Sequence, residues 1–161
     1  FAEWVGNTYD KIYIMEPDYT MQRVAKEYIK LRNIDSVTII GKGAYSHSTT
    51  LHFTNSIESG SSYIDEMGVN KIETISIDEM LDGQRASYIK MDIEGAEMEA
   101  LQGAHDTINK FRPKLAISVY HKEDDLWNIP YYLHEKYPWY KFYLRHYTTI
   151  TTETILYAVE K

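Results

Sequence analysis

Hydrophobic positions along the chain switch between two spacings, and the switches divide it into strands and helices. The run "KIYIME", Lys11 to Glu16, is apolar and rich in aromatic and β-branched residues, and Pro17 stops it, which predicts a buried strand. Asp18 can then cap a helix in which Met21, Val24, Ala25, Tyr28 and Leu31 share one face and Gln22, Arg23, Lys26, Glu27 and Lys30 the other. The stretch "SVTIIGKGAY", Ser36 to Tyr45, predicts a second continuous apolar strand ending at two glycines, and "TTLHFT", Thr49 to Thr54, alternates like a half-exposed strand. The Ser- and Gly-rich "NSIESGSSYI" that follows predicts a flexible loop.

"KIETISI" reads as another strand, after which Asp78 can cap a short helical turn through Leu81 that Gly83 ends. Tyr88 to Ile93 is apolar except for Lys90 and Asp92. Beyond it Ala96, Ala100, Leu101, Ala104, Ile108 and Phe111 repeat at helical spacing up to Arg112 and Pro113. The segment "YIKMDIEGAEMEA" is therefore a strand turning into a helix. "KLAISVY", Lys114 to Tyr120, is a further buried strand, followed by a helix around Asn128 to Tyr137 with Pro130 in its first turn. The last two strands, Trp139 to Tyr147 and Glu153 to Glu160, are separated only by "TTITT". A parallel crossover needs about a dozen residues or more, so these strands must form an antiparallel hairpin. The pattern predicts an α/β protein, a mostly parallel sheet closed by a C-terminal antiparallel hairpin.

Composition narrows the function classes. With 161 residues, 43% hydrophobic and 14% aromatic, the chain can bury one core and is expected to be a single domain over 1–161. Seventeen Lys plus Arg against 24 Asp plus Glu give a net charge of −7 without long runs of one sign, which argues against a nucleic-acid partner. The absence of cysteine removes disulfides, thiolate chemistry and zinc sites built on sulfur. No apolar run approaches the roughly 20 residues that span a bilayer, and no signal-peptide pattern opens the sequence, so no membrane partner and a cytoplasmic location are expected. The chain begins "FAEWVGNTYDKIYIMEPD" without Met, and Phe1 to Asn7 reads as the end of an amphipathic helix, so a start within a domain is expected.

Ligands of open α/β sheets collect outside the carboxyl ends of the strands, which makes Glu16, Gly41 to Ala44, Asp92 with Glu94, and Tyr120 with His121 the candidates. Glu16 could accept hydrogen bonds from both vicinal hydroxyls of a ribose, or simply mark where the strand meets water. Asp92 and Glu94 lie on one side of an extended chain, next to Gly95, and could bind a cation, hold a hydroxyl-bearing substrate or move a proton. The helix dipole, about 0.3–1 kcal/mol per acidic residue, suffices to explain Glu94 and Glu97. It explains Asp92 poorly, because a carboxylate within an apolar strand needs a partner. His121 stands where a neutral imidazole could take a proton from a hydroxyl. His47, His52, His105, His134 and His146 show no metal-ligand spacing, and no metal site is expected. The motifs GxGxxG, GxxxxGKS and GxSxG are all missing, and the tyrosines and tryptophans of "IPYYLHEKYPWYKFY" fit core packing and amphipathic surface better than a sugar-lined site.

Taken in order, "IYIMEPD", "TISIDEML", "YIKMDIEGAEMEALQGA", "ISVYHKEDDLWNIPYYL", "FYLRHYT" and "ETILYA" resemble the FkbM-type family of S-adenosylmethionine-dependent methyltransferases, and "KMDIEGAE" is the most specific piece. The resemblance implies a Rossmann-like class I methyltransferase sheet and O-methylation of a hydroxyl on a sugar or other natural product. It implies that Glu16, with Pro17, holds the cofactor ribose, that Gly43 and Asp92 also face the cofactor, and that His121 lies in a region facing the methyl acceptor; His121 is the preferred catalytic base, with Asp92 or Glu94 next. Family members carry, before the position of Phe1, a strand ending in a glycine loop of the type "DCGAxxGD". Its absence implies a sheet lacking its first strand, between those ending at Glu16 and Asp92, with exposed edges that favour a homodimer. Two other readings stay open: a noncatalytic sugar- or nucleotide-binding fragment of the same fold, and an NAD-dependent oxidoreductase, which the C-terminal hairpin disfavours.

Overall fold

A computed structural model describes residues 9–55, 62–64 and 70–161. Strand β1 (Ile12–Met15) pairs in parallel with β2 (Val37–Ile40), Ile12 opposite Val37 and Met15 opposite Ile40. Helix α1 (Tyr19–Leu31) joins them, and the Asp18 carboxylate accepts the Met21 N–H at 2.8 Å, as its position before the helix implies. The apolar stripe of α1 is wider than this two-stranded sheet can cover. Ala25 and Ile29 are half-buried, whereas Met21, Val24, Tyr28 and Leu31 are exposed.

The chain from Ser36 to Tyr45 is two strands, not one. Beyond β2 it bends at Gly41 and Lys42, and β3 (Gly43–Ala44) pairs in parallel with β6 (Asn70–Ile75) in a separate sheet. There β4 (Thr50–Asn55) runs antiparallel both to β6 and to β5 (Ser62–Ile64), in the order β3-β6-β4-β5. Part of the predicted loop is thus a strand, and 56–61 lie outside the described residues.

The third sheet carries the site. Strands β7 (Tyr88–Met91) and β8 (Lys114–Ser118) pair in parallel, and β10 (Thr154–Glu160) runs antiparallel to β8 on one side and to β9 (Tyr140–His146) on the other. The predicted C-terminal hairpin is present, with its second strand inserted beside β8. Leu115 to Ser118 are all buried, as in a strand covered on both faces.

Helix α2 (Ile77–Leu81) is capped by Ser76, whose hydroxyl accepts the Glu79 N–H at 3.1 Å, and not by Asp78. Asp78 instead accepts the N–H groups of Asp106 and Thr107 at 2.9 and 2.8 Å and so caps a different helix. The helix predicted from Ala96 to Phe111 is accordingly two, α3 (Glu97–Gln102) and α4 (His105–Phe111), broken at Gly103. A Cβ at Gly103 would collide with the Tyr45 carbonyl oxygen and lie 3.0 Å from Ser46 Cα, and its own carbonyl accepts the Asp78 N–H at 2.9 Å. Periodicity alone cannot show such a collision. Helix α5 (Asp125–Lys136) starts earlier than predicted and holds Pro130 in its interior.

Leu101, Ile108, Leu115, Ile117, Ile129, Leu133 and Tyr137 form the buried centre, and Tyr13 and Met15 of β1 pack against it. The Tyr13 hydroxyl also donates to Gln84 Oε1 at 2.9 Å. Among the described residues, the edge of β1 away from β2 and the edge of β7 away from β8 carry no strand.

Candidate functional site

The chain leaves β7 into a tight turn. Glu94 and Gly95 both have positive φ, 56° and 94°, and this left-handed pair reverses the backbone into α3. Such a conformation disfavours a residue with a Cβ by about 1–2 kcal/mol, so holding Glu94 there requires support from its surroundings.

Glu97 supplies that support. It shares the inward face of α3 with Ala100 and Leu101, at spacings of three and four, and is fully buried. One carboxylate oxygen, Oε1, accepts the Ile93 N–H at 2.8 Å and Nδ1–H of His121, also at 2.8 Å. Its Oε2 is buried with no partner.

His121 follows β8 with a side chain only 9% exposed, its ring centroid 4.2 Å from that of Tyr120. With Nδ1 engaged by Glu97, Nε2 faces the turn, 3.6 Å from Asp92 Oδ1 and 3.9 Å from Glu94 Oε2. Asp92 has the partners that its position demanded: Oδ1 accepts from the Ser118 hydroxyl at 2.8 Å and the Tyr120 hydroxyl at 3.0 Å, and Oδ2 from Lys90 at 3.2 Å.

These contacts set the charges. Burial pushes Asp92 up, but the Ser118 hydroxyl, the Lys90 ammonium and the Tyr120 hydroxyl outweigh it and hold the carboxyl below its ordinary range, so it is ionised at neutral pH. Burial pushes His121 down, and the Glu97 hydrogen bond together with the charges of Glu97, Glu94 and Asp92 outweighs it, raising the imidazole above its ordinary value. Tyr120 is raised by burial and by donating to Asp92. Asp125, buried at the start of α5, accepts the Lys122 N–H at 3.1 Å; burial raises its carboxyl, that N–H opposes the rise, and the charge of Glu97 adds to it.

Of the residues singled out from the sequence, Asp92, Glu94 and His121 come together. Glu16 stands apart, with no hydrogen bond or ion pair to that group among the described residues. Its Oε1 accepts the Asp18 N–H at 2.8 Å and its carbonyl accepts from Gln22 Nε2 at 3.0 Å, with half-buried Pro17 between. Gly43 is not in an open loop: it is buried in β3 opposite Thr74, and a Cβ there would meet Ile72 Cδ1 at an ordinary 3.4 Å. Ser118 and Asp125 are not singled out by the sequence, and Glu97 reads there only as a complement to the helix dipole. For Glu97 the signal was present, since it keeps the spacing of the apolar face; for Ser118 it was not, because one hydroxyl in a buried strand carries no pattern. Among the described residues no cluster of His, Asp and Glu is arranged to hold a metal ion.

Parallel strands whose carboxyl ends carry this acidic turn, closed by an antiparallel strand inserted before the last hairpin partner, define a Rossmann-like methyltransferase fold. The profile of the Methyltransferase FkbM domain matches residues 8–148, and the chain belongs to that family. A methyltransferase FkbM from Methylobacillus flagellatus KT is similar to it at 31% identity and a TM-score of 0.74, over 98% of this chain. The chain spans 39% of the length of that protein. An rRNA methylase from Streptococcus thermophilus shares the fold at 14% identity and a TM-score of 0.57, over 94% of this chain and 73% of that one. No curated protein matches the chain.

Proposed function

We propose that the chain serves methyl transfer from S-adenosylmethionine to a hydroxyl oxygen of a sugar or other natural product. The observation that carries this reading is the orientation of His121: Nδ1 is committed to Glu97, and Nε2 faces Asp92 and Glu94. In the neutral imidazole the remaining proton is the one on Nδ1, which leaves the Nε2 lone pair to take the proton of an acceptor hydroxyl. Glu94, half-exposed on the turn, accepts a hydrogen bond from a neighbouring hydroxyl of the same acceptor. Asp92 stays ionised and, held by Ser118 and Tyr120, presents fixed negative charge to the cationic cofactor. S-adenosylmethionine supplies an electrophilic methyl group on its sulfonium.

The residues present fit that cofactor. Glu16 uses Oε1 for the Asp18 N–H, while Oε2 takes no partner among the described residues and suits a pair of ribose hydroxyls. Pro17 fixes the turn that presents it. Gly43, buried in the side sheet, has no part in this reading.

Calorimetry tests the cofactor half of the proposal. The chain is expected to bind S-adenosylmethionine, and Glu16→Ala to weaken binding about 10- to 100-fold, the loss of charge-assisted hydrogen bonds. Equal affinity of the variant would remove Glu16 from the site, and no binding by either would overturn the cofactor assignment.

A further inference from the structure

We propose that Glu97 is the positioning residue of this site: from beneath the turn after β7 it holds Nδ1 of His121 and so aims Nε2 at the space between Asp92 and Glu94. The inference deepens the methyl-transfer reading and rests on it for its catalytic meaning, but its structural content stands alone.

Three observations carry it. Glu97 is fully buried at the head of α3, a place where an uncompensated carboxylate is strongly disfavoured, so its two hydrogen bonds are required of it and not incidental. Both bonds end on one oxygen: the Ile93 N–H fixes Oε1 relative to the turn, and the same atom then receives Nδ1–H of His121. The turn that carries Asp92 and Glu94 and the imidazole that faces them are therefore registered through a single atom. A backbone N–H can only donate and an ionised carboxylate can only accept, so Nδ1 carries the proton and Nε2 is left as the acceptor. This is the logic by which a buried carboxylate fixes the tautomer and direction of a catalytic histidine. A residue meant only to complement the helix dipole would point to solvent.

The groups that act on His121 are Asp92 and Glu94 of the turn after β7 and Glu97 of α3, with the Tyr120 ring beside it. Further out, Glu99 of α3 pairs with Lys122 at 3.8 Å, and Asp125 at the start of α5 feels the charge of Glu97. Of these only Glu97 touches Nδ1, which separates its role from those of the other carboxylates.

Nitrogen NMR on histidine-labelled protein tests the assignment without any methyl acceptor. In the wild type, the neutral form of His121 is expected as the Nδ1–H tautomer, titrating above the ordinary value of 6.5. Glu97→Gln keeps the shape and an accepting oxygen but removes the charge. His121 is then expected to titrate lower by about one to three pH units with the tautomer retained. Glu94→Gln is expected to leave the tautomer untouched. Glu97→Asp, whose shorter side chain cannot span both bonds, is expected to yield a mixture of tautomers. A wild-type Nε2–H tautomer, or the same titration in Glu97→Gln as in wild type, would overturn the proposal. Where methyl transfer is measured, the acidic limb of kcat/KM is expected to move to lower pH in Glu97→Gln by the shift seen in the NMR titration. The predicted NMR pattern without transfer to any acceptor would support the positioning role and contradict the catalytic one; transfer with an unmoved acidic limb would do the reverse.

Discussion

Truncating Glu97 to alanine would strip the Ile93 N–H and His121 Nδ1 of their acceptor in one step. Leaving such donors buried costs about 1–3 kcal/mol, and urea unfolding is expected to show a loss of that size. Asp125 behaves oppositely, because its carboxyl is raised in the fold. A raised acid contributes most stability below its ordinary value of 3.8 and loses it as pH climbs through the folded value, so at neutral pH the charge is a liability. Asp125→Asn can keep the bond from Lys122 and is expected to raise Tm at pH 7 by about 2–4 °C for each kcal/mol relieved. The remaining shifts bracket a window. His121, raised from 6.5, contributes fully below that pH and is lost as pH rises through its folded value; Asp92, lowered from 3.8, contributes above that pH and is lost as pH falls through its folded value. The two together favour stability between about pH 4 and 6.5, which a series of thermal scans across pH would check. At this scale the sequence made Asp92 legible, because a carboxylate in an apolar strand demands partners. It hid Glu97, whose charge drew attention away from its apolar-face spacing.

Helices α3 and α4 show what an element inherits from its neighbours. Apolar spacing runs unbroken from Ala96 to Phe111, yet the helix restarts after Gly103 because the Tyr45–Ser46 backbone presses against it and Asp78 caps the second segment from another helix. Gly103→Ala is expected to destabilise by about 1–3 kcal/mol or more, since the new methyl meets backbone that cannot swing aside; chemical denaturation measures it. Ser76→Ala, removing the cap that α2 uses, is expected to cost about 1 kcal/mol. The cap of α2 was misassigned from the sequence because Ser76 and Asp78 are both good capping residues, and only the tertiary partner at Asp106 and Thr107 decides between them.

For the whole molecule, loop length proved the strongest guide. Five residues between the last two strands forced a hairpin, and the hairpin is there. That β10 and not β9 lies against β8 is a question of packing order that spacing does not address. The side sheet was legible in part: Thr49 to Thr54 and "KIETISI" read as strands and are β4 and β6, whereas β3 has two residues, too few for any periodicity, and β5 is embedded in a Ser- and Gly-rich stretch. The parallel strands nevertheless bring Asp92, Glu94 and His121 to one carboxyl edge, as the strand ends implied, while Glu16 follows β1 of a separate parallel pair. The most direct test of the account is transfer of a labelled methyl group from S-adenosylmethionine to a panel of glycosides, with the wild type beside His121→Ala. The account predicts transfer by the wild type, slowed about 10²- to 10⁴-fold in the variant with cofactor affinity retained. Equal rates from the two would contradict it.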